Sequence, residues 1–150
     1  MDEERIRMAG IVLVRDVMSK DVKVVRPDTS VKEVVATMNK FDIGSIVVVQ
    51  SSRPVGIITE RDILKRIVEP CLAPEILRAR EVMSSPIITI QETASIDEAT
   101  NLMARKRIKK LLVMSDEKLV GILTLTDIVT QVPNMLGILE ELVRPYSRSY

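Results

Sequence analysis

Apolar and polar positions alternate along this chain in a pattern that runs once and then runs again. Val22–Val25 is a short aliphatic run with the composition of a strand. Ser30-x-x-Glu33 then reads as a capping box opening a helix, in which Val31, Val34, Val35 and Met38 fall at i, i+3, i+4 and i+7 and make one apolar face. Two aliphatic runs follow, Ile46–Val49 and Val55–Ile58, separated by Ser51-Ser52-Arg53-Pro54, which predicts a hairpin. A second helix is expected from about Glu60, carrying Ile63, Leu64, Ile67 and Val68. The second pass has the run Ile87–Ile90, a capping box at Ser95-x-x-Glu98, and an apolar face of Ile96, Ala99 and Met103. Its hairpin is Leu111–Met114 and Leu119–Leu123 about Ser115-Asp116-Glu117-Lys118, and its second helix starts near Leu125 with Ile128, Val129 and Val132. The expected fold is α/β (α+β), two β-α-β-β-α repeats.

The duplication is literal. With an offset of 65 and no gap, Asp16–Leu64 lies on Glu81–Val129. Identical pairs are Val17/Val82, Met18/Met83, Ser19/Ser84, Ser30/Ser95, Glu33/Glu98, Met38/Met103 and Ile43/Ile108. They continue through Val48/Val113, Val55/Val120, Gly56/Gly121, Ile57/Ile122, Thr59/Thr124, Asp62/Asp127 and Ile63/Ile128. This divides the chain into an N-terminal segment (1–15), repeat 1 (16–68), a linker (69–80) punctuated by Pro70 and Pro74, repeat 2 (81–132) and a C-terminal segment (133–150). In that last segment Met135, Ile138, Leu139, Leu142 and Val143 predict a third amphipathic helix, weakened by Gly137 by about 1 kcal/mol relative to Ala. A repeat of ~50 residues buries too little surface alone, so the two are expected to pack together.

Composition narrows the chemistry. Lys and Arg number 22 against 21 Asp and Glu, so no global charge favours nucleic acid or an anionic membrane. Histidine is absent and Cys71 is the single cysteine, which excludes His-based triads, internal disulfides and the usual structural zinc sites. The opening Met-Asp-Glu-Glu-Arg lacks the basic-then-apolar order of a signal peptide, and no apolar run approaches the ~18 residues of a membrane span. A cytoplasmic protein with an aliphatic core is expected. Met38 and Met103 sit on apolar helix faces and read as packing; Cys71, with no local base, reads as inert.

Two features carry candidate chemistry. Thr59/Asp62 and Thr124/Asp127 have the spacing of reciprocal helix caps. A carboxylate there can equally accept both hydroxyls of a ribose, with the threonine near a phosphate. Spacing alone favours the cap. The run Arg105-Lys106-Arg107-Ile108-Lys109-Lys110 suits a helix end, where cations offset the dipole, or an anion-binding patch. As a nucleic-acid surface it is poor in aromatics for base stacking, since the whole chain has one Phe and two Tyr.

The layout resembles a tandem pair of cystathionine-β-synthase-type (CBS) domains, a Bateman module. The residues that carry the resemblance are Val17-Met18-Ser19 and Val82-Met83-Ser84, with Gly56-Ile-Ile-Thr59-Glu-Arg-Asp62-Ile63 and Gly121-Ile-Leu-Thr124-Leu-Thr-Asp127-Ile128. The family binds adenosine-containing ligands (AMP, ADP, ATP or S-adenosylmethionine) in clefts between repeats and commonly forms disc-like dimers. By the family pattern, one cleft would use Thr124, Asp127, Lys109 and Lys110, walled by Met18, Val22, Lys23, Ile43, Gly44 and Ser45. The other would use Thr59 and Asp62, with Arg61 as a phosphate partner, against Met83, Ile87, Ile88 and Ile108. The clefts are expected to differ, because Gly44-Ser45 stands where the second repeat has Lys109-Lys110. The resemblance thus implies a regulatory, energy-sensing homodimer with an adenosine nucleotide as ligand, no resident cofactor and no catalysis. The alternatives are a scaffold with vestigial clefts and a nucleic-acid binder acting through Arg105–Lys110.

Overall fold

The serines that open the two long helices set the frame. In the computed structural model, which describes residues 10–85 and 87–131, Ser30 Oγ accepts the Glu33 N–H at 3.2 Å and starts helix α2 (Val31–Phe41). In the second repeat the exchange is reciprocal. Ser95 Oγ accepts from Glu98 N (3.1 Å), and the Glu98 carboxylate accepts from Ser95 N (3.2 Å), opening α5 (Ile96–Lys106). Both helices end on a residue in the left-handed region, Asp42 at φ 51° and Arg107 at φ 54°. The full element order adds α1 (Val14–Val17), β1 (Val24–Val25), β2 (Ser45–Gln50), β3 (Arg53–Thr59) and α3 (Glu60–Ile63), which widens into a π-helical turn over Leu64–Val68. Then come α4 (Ala79–Val82), β4 (Thr89–Gln91), β5 (Lys110–Ser115), β6 (Lys118–Thr124) and α6 (Leu125–Gln131).

The described residues form two three-stranded sheets, β1-β2-β3 and β4-β5-β6, each with one parallel and one antiparallel pairing. The hairpins are tighter than the sequence suggests. Ser51 and Ser52 alone make the first turn, at φ 51° and 66°, the left-handed pair that matches strand twist. Arg53 and Pro54 are already in β3, and the register shifts between Val48 and Val49 as it does between Val113 and Met114 in the second hairpin, so the irregularity belongs to the repeat and not to Pro54. Ser115 and Lys118 likewise pair with each other, leaving Asp116-Glu117 as the tip. The first strand of each repeat is shorter than, or shifted from, its aliphatic run: Val24–Val25 rather than Val22–Val25, and Thr89–Gln91 rather than Ile87–Ile90.

The chain resolves into two compact units whose boundaries differ from those of the sequence repeat. The central unit is Val22–Ile87; the split unit joins the stretch up to Asp21 to the stretch from Ile88 on. The central core is Val31, Val34, Met38, Ile46, Val48, Ile58 and Ile67, closed by Ala79 and Val82 of α4. The split core is Ile96, Ala99, Met103, Leu111, Val113, Leu123, Leu125 and Ile128, closed by Val14 and Val17 of α1. Thus the short helix that leads the second repeat packs with the first repeat's strands. The reason is local. Ser84 exchanges backbone hydrogen bonds with Ile57 (2.8 and 3.1 Å), and Ser19 does the same with Ile122 (2.9 and 3.0 Å). Met83 lies over Gly56 and Met18 over Gly121, where a Cβ has no room.

The stripe expected from Ile63, Leu64, Ile67 and Val68 is only partly buried. Ile67 is in the core, but the π-helical turn leaves Leu64 60% and Val68 57% exposed. Leu72 and Ile76 beyond it are also exposed. In the split unit Ile128 is buried and Val129 is exposed. Val132 and the C-terminal stripe Met135–Val143 lie outside the described residues.

Candidate functional site

In the split unit, the antiparallel pairing of β5 with β6 sets Lys110 directly opposite Thr124. The Lys109 carbonyl accepts the Leu125 N–H at 2.9 Å, tying the start of β5 to the start of α6. Thr124 and Asp127 then cap each other: Thr124 N donates to Asp127 Oδ2 (3.0 Å) and Asp127 N donates to Thr124 Oγ1 (3.1 Å). Four of the expected site residues therefore converge at one end of one sheet. Asp127 is half-buried, and its Oδ1 has no partner among the described residues. A carboxylate with one oxygen capping and one uncommitted, on the helix that follows the strand paired with Lys110, can accept a hydroxyl, and lysines at the neighbouring strand positions carry the charge an anion calls for. Met18, Ile88 and Ile108 belong to this same unit, half-buried against its core.

The basic run Arg105–Lys110 is divided by the fold. Arg105 and Lys106 occupy the last turn of α5 and Arg107 is its left-handed cap, the arrangement in which cations offset the helix dipole. Lys109 and Lys110 lie past that cap, at the start of β5.

The central unit has the same frame with different chemistry. Ser45 lies opposite Thr59, and the Gly44 carbonyl accepts the Glu60 N–H at 3.1 Å. Asp62 Oδ2 takes the Thr59 N–H (2.9 Å) and the Thr59 hydroxyl (3.1 Å), and Asp62 N donates back to Thr59 Oγ1 (3.2 Å). The other oxygen is also engaged. Ser84 Oγ donates to Oδ1 at 2.9 Å, and Arg66 Nη1 stands 3.9 Å from it. Arg66 is held there by the carbonyls of Val82 and Met83, each at 2.7 Å. Asp62 is 8% exposed and fully partnered.

Other expected residues of the central unit divide by contact. Lys23 Nζ sits 4.1 Å from the centroid of the Phe41 ring, a cation–π contact. Met83 covers Gly56, and Ile43 N donates to the Met38 carbonyl at 3.0 Å. Val22 and Ile87 are half-buried at the two ends of the unit. Arg61 is exposed and has no partner among the described residues. The cation that reaches Asp62 is Arg66, which sequence reasoning missed along with Ser84 as an acceptor's partner and Glu60 beside Gly44. The signal was present in the offset of 65. Arg66 aligns with Gln131, whose amide donates instead to the Val17 carbonyl at 3.2 Å.

Two copies of a β-α-β-β-α unit, each ending its hairpin in a Thr-x-x-Asp cap, make the chain a structural duplication. Residues 14–69 and again 79–134 match the CBS domain family. The chain belongs to that family, as a tandem CBS-domain protein of the regulatory, ligand-binding kind. An uncharacterized protein of Methanopyrus kandleri is 36% identical over 137 residues, covering 90% of this chain and 70% of that one. An uncharacterized conserved protein from Pyrococcus horikoshii is similar in structure, with TM-score 0.72 and 33% identity over 79% of this chain and 90% of that chain. A CBS-domain protein of unknown function from Thermoplasma acidophilum shares the fold at TM-score 0.78 and 23% identity, covering 91% and 77%. Among the described residues no helix is long and apolar enough to cross a membrane.

Proposed function

We propose that this chain is an adenosine-nucleotide sensor with no chemistry of its own. AMP or ATP binds where Lys109, Lys110, Thr124 and Asp127 converge, and binding is relayed to an effector protein. The observation that carries the reading is that convergence: two cations and a half-free carboxylate at the head of one helix, the donor and acceptor set that a phosphorylated ribose requires. The Asp127 Oδ1 accepts from the ribose diol and the lysines meet the phosphate. By the family pattern Met18, of the same unit, walls the base side.

The protein acts as a cytoplasmic homodimer. Leu64 and Val68 are more than half exposed beside an apolar hollow of about 450 Å³ lined by Val31, Val35, Ile63, Ile67, Cys71 and Leu72, and such faces mark interfaces. Isothermal titration of ligand-stripped protein with AMP, ATP and S-adenosylmethionine tests the reading. Saturable binding of an adenosine nucleotide is expected; absence of heat for all three with folded protein refutes it.

A further inference from the structure

The two copies of the Thr-x-x-Asp cap are chemically unequal in a way that the missing lysines alone do not describe. In the central unit both Asp62 oxygens are engaged from within: Oδ2 accepts from Thr59 N and Oγ1, and Oδ1 accepts from Ser84 Oγ at 2.9 Å with the Arg66 guanidinium 3.9 Å away, an ion-pair rather than a hydrogen-bond distance. In the split unit the counterparts look elsewhere. Ser19 aligns with Ser84 but makes no side-chain bond to Asp127 among the described residues, and Gln131 aligns with Arg66 but turns to the Val17 carbonyl. A second difference points the same way. The Glu60 carboxylate lies beside Gly44, its oxygens 3.7 Å from where a Cβ on that glycine would stand. The aligned positions in the split unit are Leu125 and Lys109. At matched places one unit thus offers a carboxylate and no cation, and the other a cation and an aliphatic side chain.

We infer that Arg66, Ser84 and Glu60 close the central unit's carboxylate to nucleotides, so that each chain has one nucleotide site, at Asp127. This deepens the adenosine-ligand reading above and rests on it. Ser84 and Arg66 act on Asp62 as an internal ligand: the Ser84 hydroxyl takes an acceptor position that a ribose would otherwise use, and the guanidinium pairs with the same oxygen at 3.9 Å. A competing diol would have to displace a charge-assisted contact whose arginine is fixed by two carbonyls. Glu60 adds repulsion against any phosphate that approaches Gly44. The chain keeps two copies of the motif but uses the first to hold α4 against its hairpin.

Isothermal titration with AMP measures the stoichiometry. The wild-type chain should bind one AMP, and Asp127→Asn should weaken that site by roughly 5- to 150-fold. In Glu60→Leu/Arg66→Gln/Ser84→Ala, which carries the split unit's side chains at the first two positions and removes the hydroxyl at the third, a second, weaker site should appear. Circular dichroism melts confirm that the variants are folded. Two sites in the wild type overturn the inference and leave the adenosine reading standing, as does a single site whose affinity Asp127→Asn leaves unchanged. A folded triple variant that still binds one AMP overturns the role given to these three side chains. No AMP binding by the wild type removes the adenosine reading and this inference together. A ligand-free measurement stands apart from binding: Ser84→Ala should lower the melting temperature and Ser19→Ala should leave it close to wild type. The reverse order of the two overturns the assigned difference.

Discussion

Alanine at Gly56 or Gly121 probes the contact that seats each leading segment on its hairpin. At Gly56, an added Cβ would meet Met83 Sδ, with Met83 Cγ at 2.7 Å and Cβ at 3.0 Å; all three are side-chain atoms of one methionine. At Gly121 the Cβ would lie 2.5 Å from Met18 Sδ, 3.1 Å from Met18 Cγ and 2.9 Å from the Ser19 carbonyl oxygen. These separations are well inside van der Waals contact, so something must move, and overpacking of this kind costs about 1–3 kcal/mol. The two sites differ in what can yield. Met83 is flexible, whereas the Ser19 carbonyl is fixed by its bond from Ile122 N. Gly56→Ala should therefore cost about 2 kcal/mol and Gly121→Ala more. For a chain of this size a loss of 2 kcal/mol lowers Tm by about 4–8 °C. Adding Met83→Ala removes the thiol ether that clashes, so Gly56→Ala/Met83→Ala should be less damaged than the sum of its parts by at least 1 kcal/mol. Met18→Ala should rescue Gly121→Ala less, because the backbone oxygen remains. Urea unfolding followed by circular dichroism gives the four single and two double values. Gly56→Ala at wild-type stability, or strict additivity with Met83→Ala, would refute the account.

Lys109→Ala/Lys110→Ala should weaken AMP binding by tenfold or more and flatten its salt dependence, because exposed phosphate contacts are the ones that ions screen; an unchanged salt slope in titration counts against it. Asp127→Asn keeps one capping acceptor but removes the anion, so affinity should fall by about 1–3 kcal/mol while the ligand-free melt loses no more than about 1 kcal/mol. Equal affinity with a lowered melt would make Asp127 a cap and nothing else. Leu64→Glu/Val68→Glu places charge on the exposed face and should convert a dimer to a monomer in light scattering; a wild-type protein that is already monomeric at micromolar concentration defeats the premise.

Much of the fold was legible because it depends on local chemistry. Ser30 and Ser95 start helices where their spacing to Glu33 and Glu98 says they should, and the i, i+3, i+4, i+7 face of Val31, Val34 and Met38 is the buried one. Val35, on the same stripe, is only half-buried, and Leu64 and Val68 are exposed because the turn they occupy is wider than an α-helix. Periodicity assumes 3.6 residues per turn and has no means of seeing a π-helical one. Strand ends were misjudged where backbone pairing, not side-chain character, sets the limit: Arg53 and Pro54 joined β3 because Ser51 and Ser52 alone can reverse the chain. At the candidate site, the Thr-x-x-Asp spacing identified both carboxylates. It did not tell which oxygen each would leave open, since Ser84 and Arg66 reach Asp62 from 22 and 4 residues away.

The exchange of leading helices has a consequence for synthesis on the ribosome. Everything the central unit needs lies between Val22 and Ile87, in one uninterrupted stretch. The other unit opens with α1, then must wait for the whole central unit to be made before Ile96, Leu111 and Leu123 arrive to cover Val14 and Val17. At ~5–20 residues per second that interval lasts several seconds, during which Val14 and Val17 lack the core partners they have in the finished fold. The nested order makes the inner unit the first whose residues are all available. It also means that a nascent chain halted after Ile87 would leave a complete inner unit and an N-terminal strap still looking for its sheet.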